Sequence, residues 1–256
     1  MGTAFYANSA SIMSKIAAIL GENEDSEYYK KLNKNICRAY IKLLTDGKGN
    51  IDDEHQTEYV LPLYFNMAEG EIKKTMAKNL NRLVVENAYH LATGFPGTPY
   101  ILFALADNGY KDTAYRVLLQ ETCPSWLYAI KMGGTTFWEQ WNAITPEGEV
   151  RDPSMNHYAY GAVGDFLYRR LLGIEPLEGG YKKFKVQPII GGDINFARGK
   201  VNTPYGQISV DWQIHDNTFN IDVIVPPSTK CELITTDKKK HELTCGCFHF
   251  ECSYNQ

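Results

Sequence analysis

The chain has 256 residues, 44% hydrophobic and 22% charged, close to the averages of globular domains. That is enough to bury the core of one large domain or two modest ones and argues against a disordered chain. A formal net charge of −4 without a basic stripe leaves no case for a nucleic-acid binder, and no run approaches the roughly 18 apolar residues that span a membrane.

From residue 1 to about 173 the pattern is helical. Phe5, Ile12, Met13, Ile16, Ala17, Ile19 and Leu20 recur at helical spacing, and Gly21 is a stop signal. Ser26 is placed to cap a second helix that shows Tyr29, Leu32, Ile36, Tyr40 and Leu43 on one face. The loop 46–50 ends it. A third helix carries Tyr59, Val60, Leu63, Tyr64 and Phe65, with Pro62 expected in its first turn. A fourth runs over 71–87. Thr98-Pro99 reads as a cap followed by proline at the first helical position, and that helix ends near Asn108-Gly109. Asp112 begins another. Pro124 begins a short one that stops at Gly133-Gly134, and the last runs from His157 to Leu172 and stops at Gly173. No strict repeat links these helices.

Near residue 174 the period changes. Ile208, Val210, Trp212 and Ile214 alternate with polar residues, 215–218 is a turn, and Phe219, Ile221, Val223 and Val225 alternate again until Pro226-Pro227. Short strands with turn signals every ten or so residues argue for an antiparallel β-sandwich. The expected fold is mainly α with a β domain: a helical domain over 1–174 and a β-sandwich over 175–256.

Six cysteines do not make a disulfide framework in a chain of this length, and the N-terminus shows no signal-peptide pattern. The chain as given is expected to be cytoplasmic with reduced thiols. Cys245, Cys247, His249 and Cys252 lack the two well-separated ligand pairs of structural zinc. The acids of 52–58 read as a solvated helix start rather than a Mg²⁺ site, and Lys238-Lys239-Lys240 as a solvated turn. There is no P-loop, GxGxxG or GxSxG motif.

The densest unusual segment is Gly133-Gly134-Thr135-Thr136-Phe137-Trp138-Glu139-Gln140-Trp141-Asn142, a carboxylate between two indoles in a poor helix former. One reading is a loop whose tryptophans plug the core. The other is a sugar site, with Trp138 and Trp141 as apolar walls and Glu139 as the catalytic carboxylate, since a flat apolar face with a polar edge suits a sugar ring. His157, Tyr158, Tyr160 and Gly161 converge at the start of the last helix, where a histidine is either structural or a pocket residue. The loop His90–Tyr100 is fit to line a pocket or to serve as a plain connection.

Taken together, GTAFYANSA (2–10), TEYVLPLYF (57–65), HLATGFPGTPYIL (90–102), NGYKDTAYRVLLQ (108–120), PSWLY (124–128), GGTTFWEQW (133–141), MNHYAYGAVGDFLYR (155–169), GYKKFKVQP (180–188) and TPYGQISVDW (203–212) resemble the bacterial α-L-rhamnosidases, in that family's order across nearly the whole chain. The resemblance implies the later helices of an (α/α)₆ toroid, residues 1–174, followed by the β-sandwich. It implies inverting hydrolysis of terminal α-L-rhamnosyl groups from a glycoside or polysaccharide, with no metal or organic cofactor. Carried over by position, Glu139 is the general base that activates water; Trp138, Trp141 and His157 are substrate-binding. Inversion needs a second carboxyl group roughly 6.5–9.5 Å away as general acid. In the family that acid lies upstream, in a stretch that nothing here resembles. The expectation is therefore a base without its acid, a chain inactive or very weak alone, and apolar faces exposed for a missing N-terminal half, an oligomer or aggregation. Rival readings are another toroid-fold glycoside hydrolase and a non-catalytic carbohydrate-binding or structural remnant.

Overall fold

A computed structural model describes residues 1–151 and 153–254. The chain divides into two compact units, one over Met1–Gly161 and one from Ala162 onward.

The first unit is helical. Helices α1 (Gly2–Leu20) and α2 (Asn23–Leu44) form an antiparallel pair joined through Gly21, whose φ of 81° is the left-handed helix stop that glycine adopts without strain. The pair approaches on small residues: Ala4, Ala7, Ala10 and Ala17 are the buried positions of α1. It is then laced by polar bonds. Ser14 Oγ donates to the Ser26 carbonyl at 2.9 Å, Ser26 Oγ donates back to the Ser14 carbonyl at 3.0 Å, and Asn33 Nδ2 donates to the Ala7 carbonyl at 2.8 Å. Ser26 thus sits inside α2 and joins two helices; it is not the cap expected of it. The apolar stripe of α1 faces outward, with Ile19 84% and Leu20 70% exposed alongside half-exposed Ile12, Met13 and Ile16.

Helix α3 (Gln56–Tyr64) begins earlier than expected, so Pro62 falls near its C-terminal end rather than in its first turn. Proline has no N–H, which leaves the Glu58 carbonyl without its helical donor. The Tyr40 hydroxyl supplies that bond from α2, at 3.0 Å. Helix α4 (Gly70–Glu86) packs on α3, and α5 (Ile101–Ala106) packs on α3 and on α6 (Lys111–Leu118). Their common core is Tyr59, Leu61, Leu63, Met76, Leu80, Ile101, Phe103 and Tyr115. The expected cap at Thr98 is absent, because Thr98 Oγ1 is engaged with Thr93 and Gly94 and the helix starts only at Ile101. Helix α7 (Trp126–Lys131) starts two residues after Pro124, capped by Ser125, whose Oγ accepts the Tyr128 N–H at 3.1 Å.

The expected last helix is broken into α8 (Tyr158–Gly161), α9 (Val163–Phe166) and a π turn over Leu167–Leu171, where the Leu172 N–H reaches the Leu167 carbonyl at 2.8 Å. Gly161 and Gly164 each weaken helix continuity by about 1 kcal/mol relative to alanine.

The second unit holds two four-stranded sheets. One has the order β1 (Ile174–Pro176), β2 (Lys183–Val186), β6 (Lys230–Ile234), β7 (Lys240–Leu243). The other has the order β3 (Phe196–Thr203), β4 (Gly206–His215), β5 (Thr218–Val225), β8 (Gly246–Ser253). The pairing is antiparallel except between β2 and β6, which run parallel. No hairpin joins those two strands: the chain passes through the other sheet between them, and such a crossover lets both run the same way. Asp216 and Asn217, with φ of 47° and 59°, close the β4–β5 hairpin in the geometry that suits the strand twist. The alternating residues Ile208, Val210, Trp212, Phe219, Ile221, Val223 and Val225 join Phe184, Val186, Cys231 and Leu233 in one core shared by both sheets. Trp212 satisfies its indole N–H on the Leu171 carbonyl at 3.0 Å.

Candidate active site

The segment 133–142 is an irregular loop that leaves α7 by a helix-stop motif. Gly133 adopts φ of 81° and donates to the Ile130 carbonyl at 3.0 Å; Gly134 donates to the Ala129 carbonyl at 2.9 Å. Gly134 is needed for a second reason. A Cβ there would stand 2.8 Å from both the Ala129 carbonyl oxygen and the Trp138 ring.

This loop runs beside residues 149–151 and 153–157 and is tied to them at intervals. Thr136 Oγ1 donates to the Met155 carbonyl, and the His157 N–H donates to the Phe137 carbonyl at 2.7 Å. Glu139 is held at two points. Its N–H donates to the Ser154 carbonyl at 2.9 Å, and its carboxylate Oε2 accepts the Ser154 N–H at 3.1 Å. Further along, the Arg151 N–H reaches the Ala143 carbonyl at 2.8 Å, and Ile144 bridges to Val150. The carboxylate is exposed yet tethered by a backbone donor.

Beside the loop lies a pocket of about 170 Å³, lined chiefly by Trp126, Phe137, Trp138, Gln140, Trp141 and Tyr160. Trp141 stacks on Tyr160 at 3.9 Å between centroids and 8° between planes, and meets Trp126 edge-on at 5.5 Å. The Trp126 indole N–H donates to the Tyr160 carbonyl at 2.9 Å, so the three rings form one braced frame. Burial, and after it the negative charge of Glu139, push the Tyr160 phenol above its ordinary value.

Of the residues picked out by sequence, Trp138 and Trp141 line the pocket. Glu139 lies on the same loop but is not among the lining residues, and neither is His157. Trp138 is only 4% exposed, so it plugs the core and walls the pocket at once. His157 stacks on Tyr158 at 5.3 Å, and its Nδ1 accepts the Ala159 N–H at 3.3 Å, which orients the ring at the start of α8. The loop 90–100 stays outside the pocket. It folds on itself through Thr93 and Thr98 and is pinned by Gln56, which donates to the His90 carbonyl at 3.1 Å and accepts the Ala92 N–H at 2.8 Å. Trp126, Gln140 and Tyr160 escaped sequence reasoning as pocket residues. The aromatic spacing of His157 and Tyr160 was the available signal for the last.

The chain is thus a helical unit that carries an aromatic-walled pocket, followed by a unit of two β-sheets. Residues 1–171 match the bacterial alpha-L-rhamnosidase 6 hairpin glycosidase domain, and residues 173–245 match the bacterial alpha-L-rhamnosidase C-terminal domain. The chain belongs to the bacterial α-L-rhamnosidase family. It is 39% identical to an alpha-L-rhamnosidase of Formosa agariphila over 94% of this chain and 26% of that protein, and 37% identical to one of Streptomyces avermitilis over 91% of this chain and 23% of that protein. It thus spans about a quarter of the length of these curated relatives. Among solved structures, the Streptomyces avermitilis alpha-L-rhamnosidase complexed with L-rhamnose superposes with a TM-score of 0.92 at 34% identity, covering 98% of this chain and 26% of that one. The native enzyme of Aspergillus terreus superposes with a TM-score of 0.93 at 30% identity, covering 97% of this chain and 30% of that one.

Proposed function

We propose that this chain carries the water-activating half of an inverting α-L-rhamnosidase site, acting on terminal α-L-rhamnosyl groups of a glycoside or polysaccharide. In this reading residues 1–174 are the later helices of an (α/α)₆ toroid and residues 175–256 are a β-sandwich. The observation that carries it is the placement of Glu139. It is an exposed carboxylate fixed by the Ser154 N–H, beside a pocket walled by three tryptophans and a tyrosine, on a chain of this family.

The base draws a proton from water as the water attacks the anomeric carbon. The aglycone oxygen leaves with a proton from a general acid, roughly 6.5–9.5 Å from the base in an inverting site. The acid belongs to residues that this sequence does not contain. Trp138, Trp141 and His157 serve the sugar in this scheme, the indoles by apolar contact and the imidazole by a hydrogen bond. A second reading is binding without turnover. It draws on one observation: the pocket is walled by aromatic rings while Glu139 is not part of its lining.

Hydrolysis of p-nitrophenyl α-L-rhamnoside by the purified chain and by Glu139→Gln separates the readings. Very weak turnover that Glu139→Gln lowers by about 10²–10⁴ supports the base. L-rhamnose binding with no turnover supports the second reading. Strong turnover by the chain alone overturns the proposal that the acid lies elsewhere, and turnover unchanged in Glu139→Gln overturns the base.

A further inference from the structure

We infer that the Tyr160 hydroxyl is a sugar-contacting hydrogen-bond donor in the pocket beside Glu139, a role that rests on the rhamnoside reading of that pocket. Three observations carry it. First, Tyr160 lines the pocket and keeps 8% of its surface exposed, while its hydroxyl has no hydrogen-bond partner among the described residues. Two neighbouring donors are already committed: Thr136 Oγ1 to the Met155 carbonyl, and the Trp126 indole N–H to the Tyr160 carbonyl.

Second, the ring is held in place before any ligand arrives. It stacks on Trp141 at 3.9 Å, Trp141 braces edge-on against Trp126, and Trp126 holds the backbone of Tyr160 itself. A donor on so fixed a ring loses little freedom when it binds, which favours affinity. Third, burial and the nearby Glu139 charge both disfavour the phenolate, so the hydroxyl stays protonated at neutral pH and able to donate. Sugar hydroxyl and ring oxygens are the acceptors that match it. An apolar wall with a donor fixed beside it suits a sugar that offers a hydrophobic face and a polar edge together.

The test titrates the whole chain with L-rhamnose, followed by calorimetry and by the fluorescence of the pocket tryptophans, in the wild type and Tyr160→Phe. Phenylalanine keeps the stack and the wall and removes only the hydroxyl. Because that hydroxyl supports no bond among the described residues, the unfolding midpoint should not move, while the dissociation constant should rise about 2- to 10-fold, as for one net hydrogen bond. A chain carrying 3-fluorotyrosine adds a second readout: the ¹⁹F signal that vanishes in Tyr160→Phe should shift on addition of L-rhamnose. Wild-type binding with no change in Tyr160→Phe and no ¹⁹F shift overturns this inference and leaves the pocket reading standing. No wild-type binding of L-rhamnose overturns both. If Tyr160→Phe unfolds, the hydroxyl is structural and the inference falls, unless the wild-type ¹⁹F signal moves with the sugar, which upholds it.

Discussion

Gly134→Ala is the most informative single perturbation of the candidate site, because it adds one methyl group where the loop is tightest. The added Cβ would lie 2.8 Å from the Ala129 carbonyl oxygen and 2.8 Å from the Trp138 ring. The carbonyl is part of the helix-stop bond and the indole is 4% exposed, so neither can give way freely. Overpacking of this kind costs about 1–3 kcal/mol. The neighbouring Gly133→Ala isolates a different cause. There a Cβ meets nothing within 4 Å, but φ is 81°, so the cost is the left-handed backbone alone, about 1–2 kcal/mol. The two variants should also differ in function. Gly134→Ala pushes on Trp138 and hence on Glu139 beside it, so it should weaken L-rhamnose binding as well as stability; Gly133→Ala should act on stability alone. Urea unfolding followed by tryptophan fluorescence reads the first quantity, since three of the four tryptophans, Trp126, Trp138 and Trp141, sit around the pocket. A Gly134→Ala chain within about 0.5 kcal/mol of the wild type, the ordinary range for a surface change, would refute the close approach of Gly134 and Trp138.

Further predictions concern the frame around the site. Tyr40→Phe should cost about 1–3 kcal/mol in urea unfolding, because it strands the Glu58 carbonyl that Pro62 already leaves without a helical donor; no loss would mean that another group satisfies that carbonyl. In the second unit, burial pushes Glu175 up, but bonds from Arg169 and Lys185 and the charge of Arg170 outweigh it and bring its pKa to about 2. A carboxylate with a depressed folded pKa stabilises above its unfolded value, near 4.5, and loses that contribution as pH falls toward about 2. The stability advantage of wild type over Glu175→Gln should therefore be full at neutral pH and shrink between about 4.5 and 2, measured as urea midpoints across that window. A gap independent of pH would show that the charge cluster contributes nothing specific. Ser14→Ala combined with Ser26→Ala should loosen the α1–α2 pair, read as faster amide exchange in α1.

Much of this architecture was legible because its signals are local. The alternation of Ile208, Val210 and Trp212 with Phe219, Ile221 and Val223 gives the β4–β5 hairpin, and Gly21 gives the end of α1. What stayed hidden depends on partners distant in sequence. Pro62 looks like a first-turn residue until Tyr40, from another helix, is seen to take up the carbonyl it frees. Ser26 and Thr98 look like caps because their hydroxyls bond backbone, but the carbonyls they reach are Ser14 across a helix pair and Thr93 and Gly94 within a loop. Strand β3 gives no alternation because its half-buried positions are Ala197, Gly199, Val201 and Thr203, small where the chain comes close: a Cβ on Gly199 would stand 2.5 Å from the Leu172 side chain. The outward stripe of α1 shows the same limit from the other side. Helical period locates Ile12, Ile16 and Ile19 on one face, but cannot say that the alanines win the contact with α2.

The candidate site joins these two levels. Its residue types were readable as a cluster, but its geometry comes from the ladder between 136–145 and residues 149–151 and 153–157. That ladder links backbone to backbone at Phe137, Glu139, Ala143 and Thr145, so it can tolerate many side-chain changes while keeping the register of the loop. Within this register it takes hold of the carboxylate of Glu139 through the Ser154 N–H, while Thr136 Oγ1 and Thr145 Oγ1 bond backbone groups across the same ladder. A general base benefits from such a hold, since its reach to water must be fixed to within a fraction of an ångström while its second oxygen stays available. A residue that merely filled space would need no such tether, and Trp138, its buried neighbour, is positioned by packing against Gly134 instead. The division of labour along three consecutive residues is therefore physical: Trp138 anchors the loop in the core, Glu139 is aimed by backbone bonds, and Gln140 turns back to line the pocket.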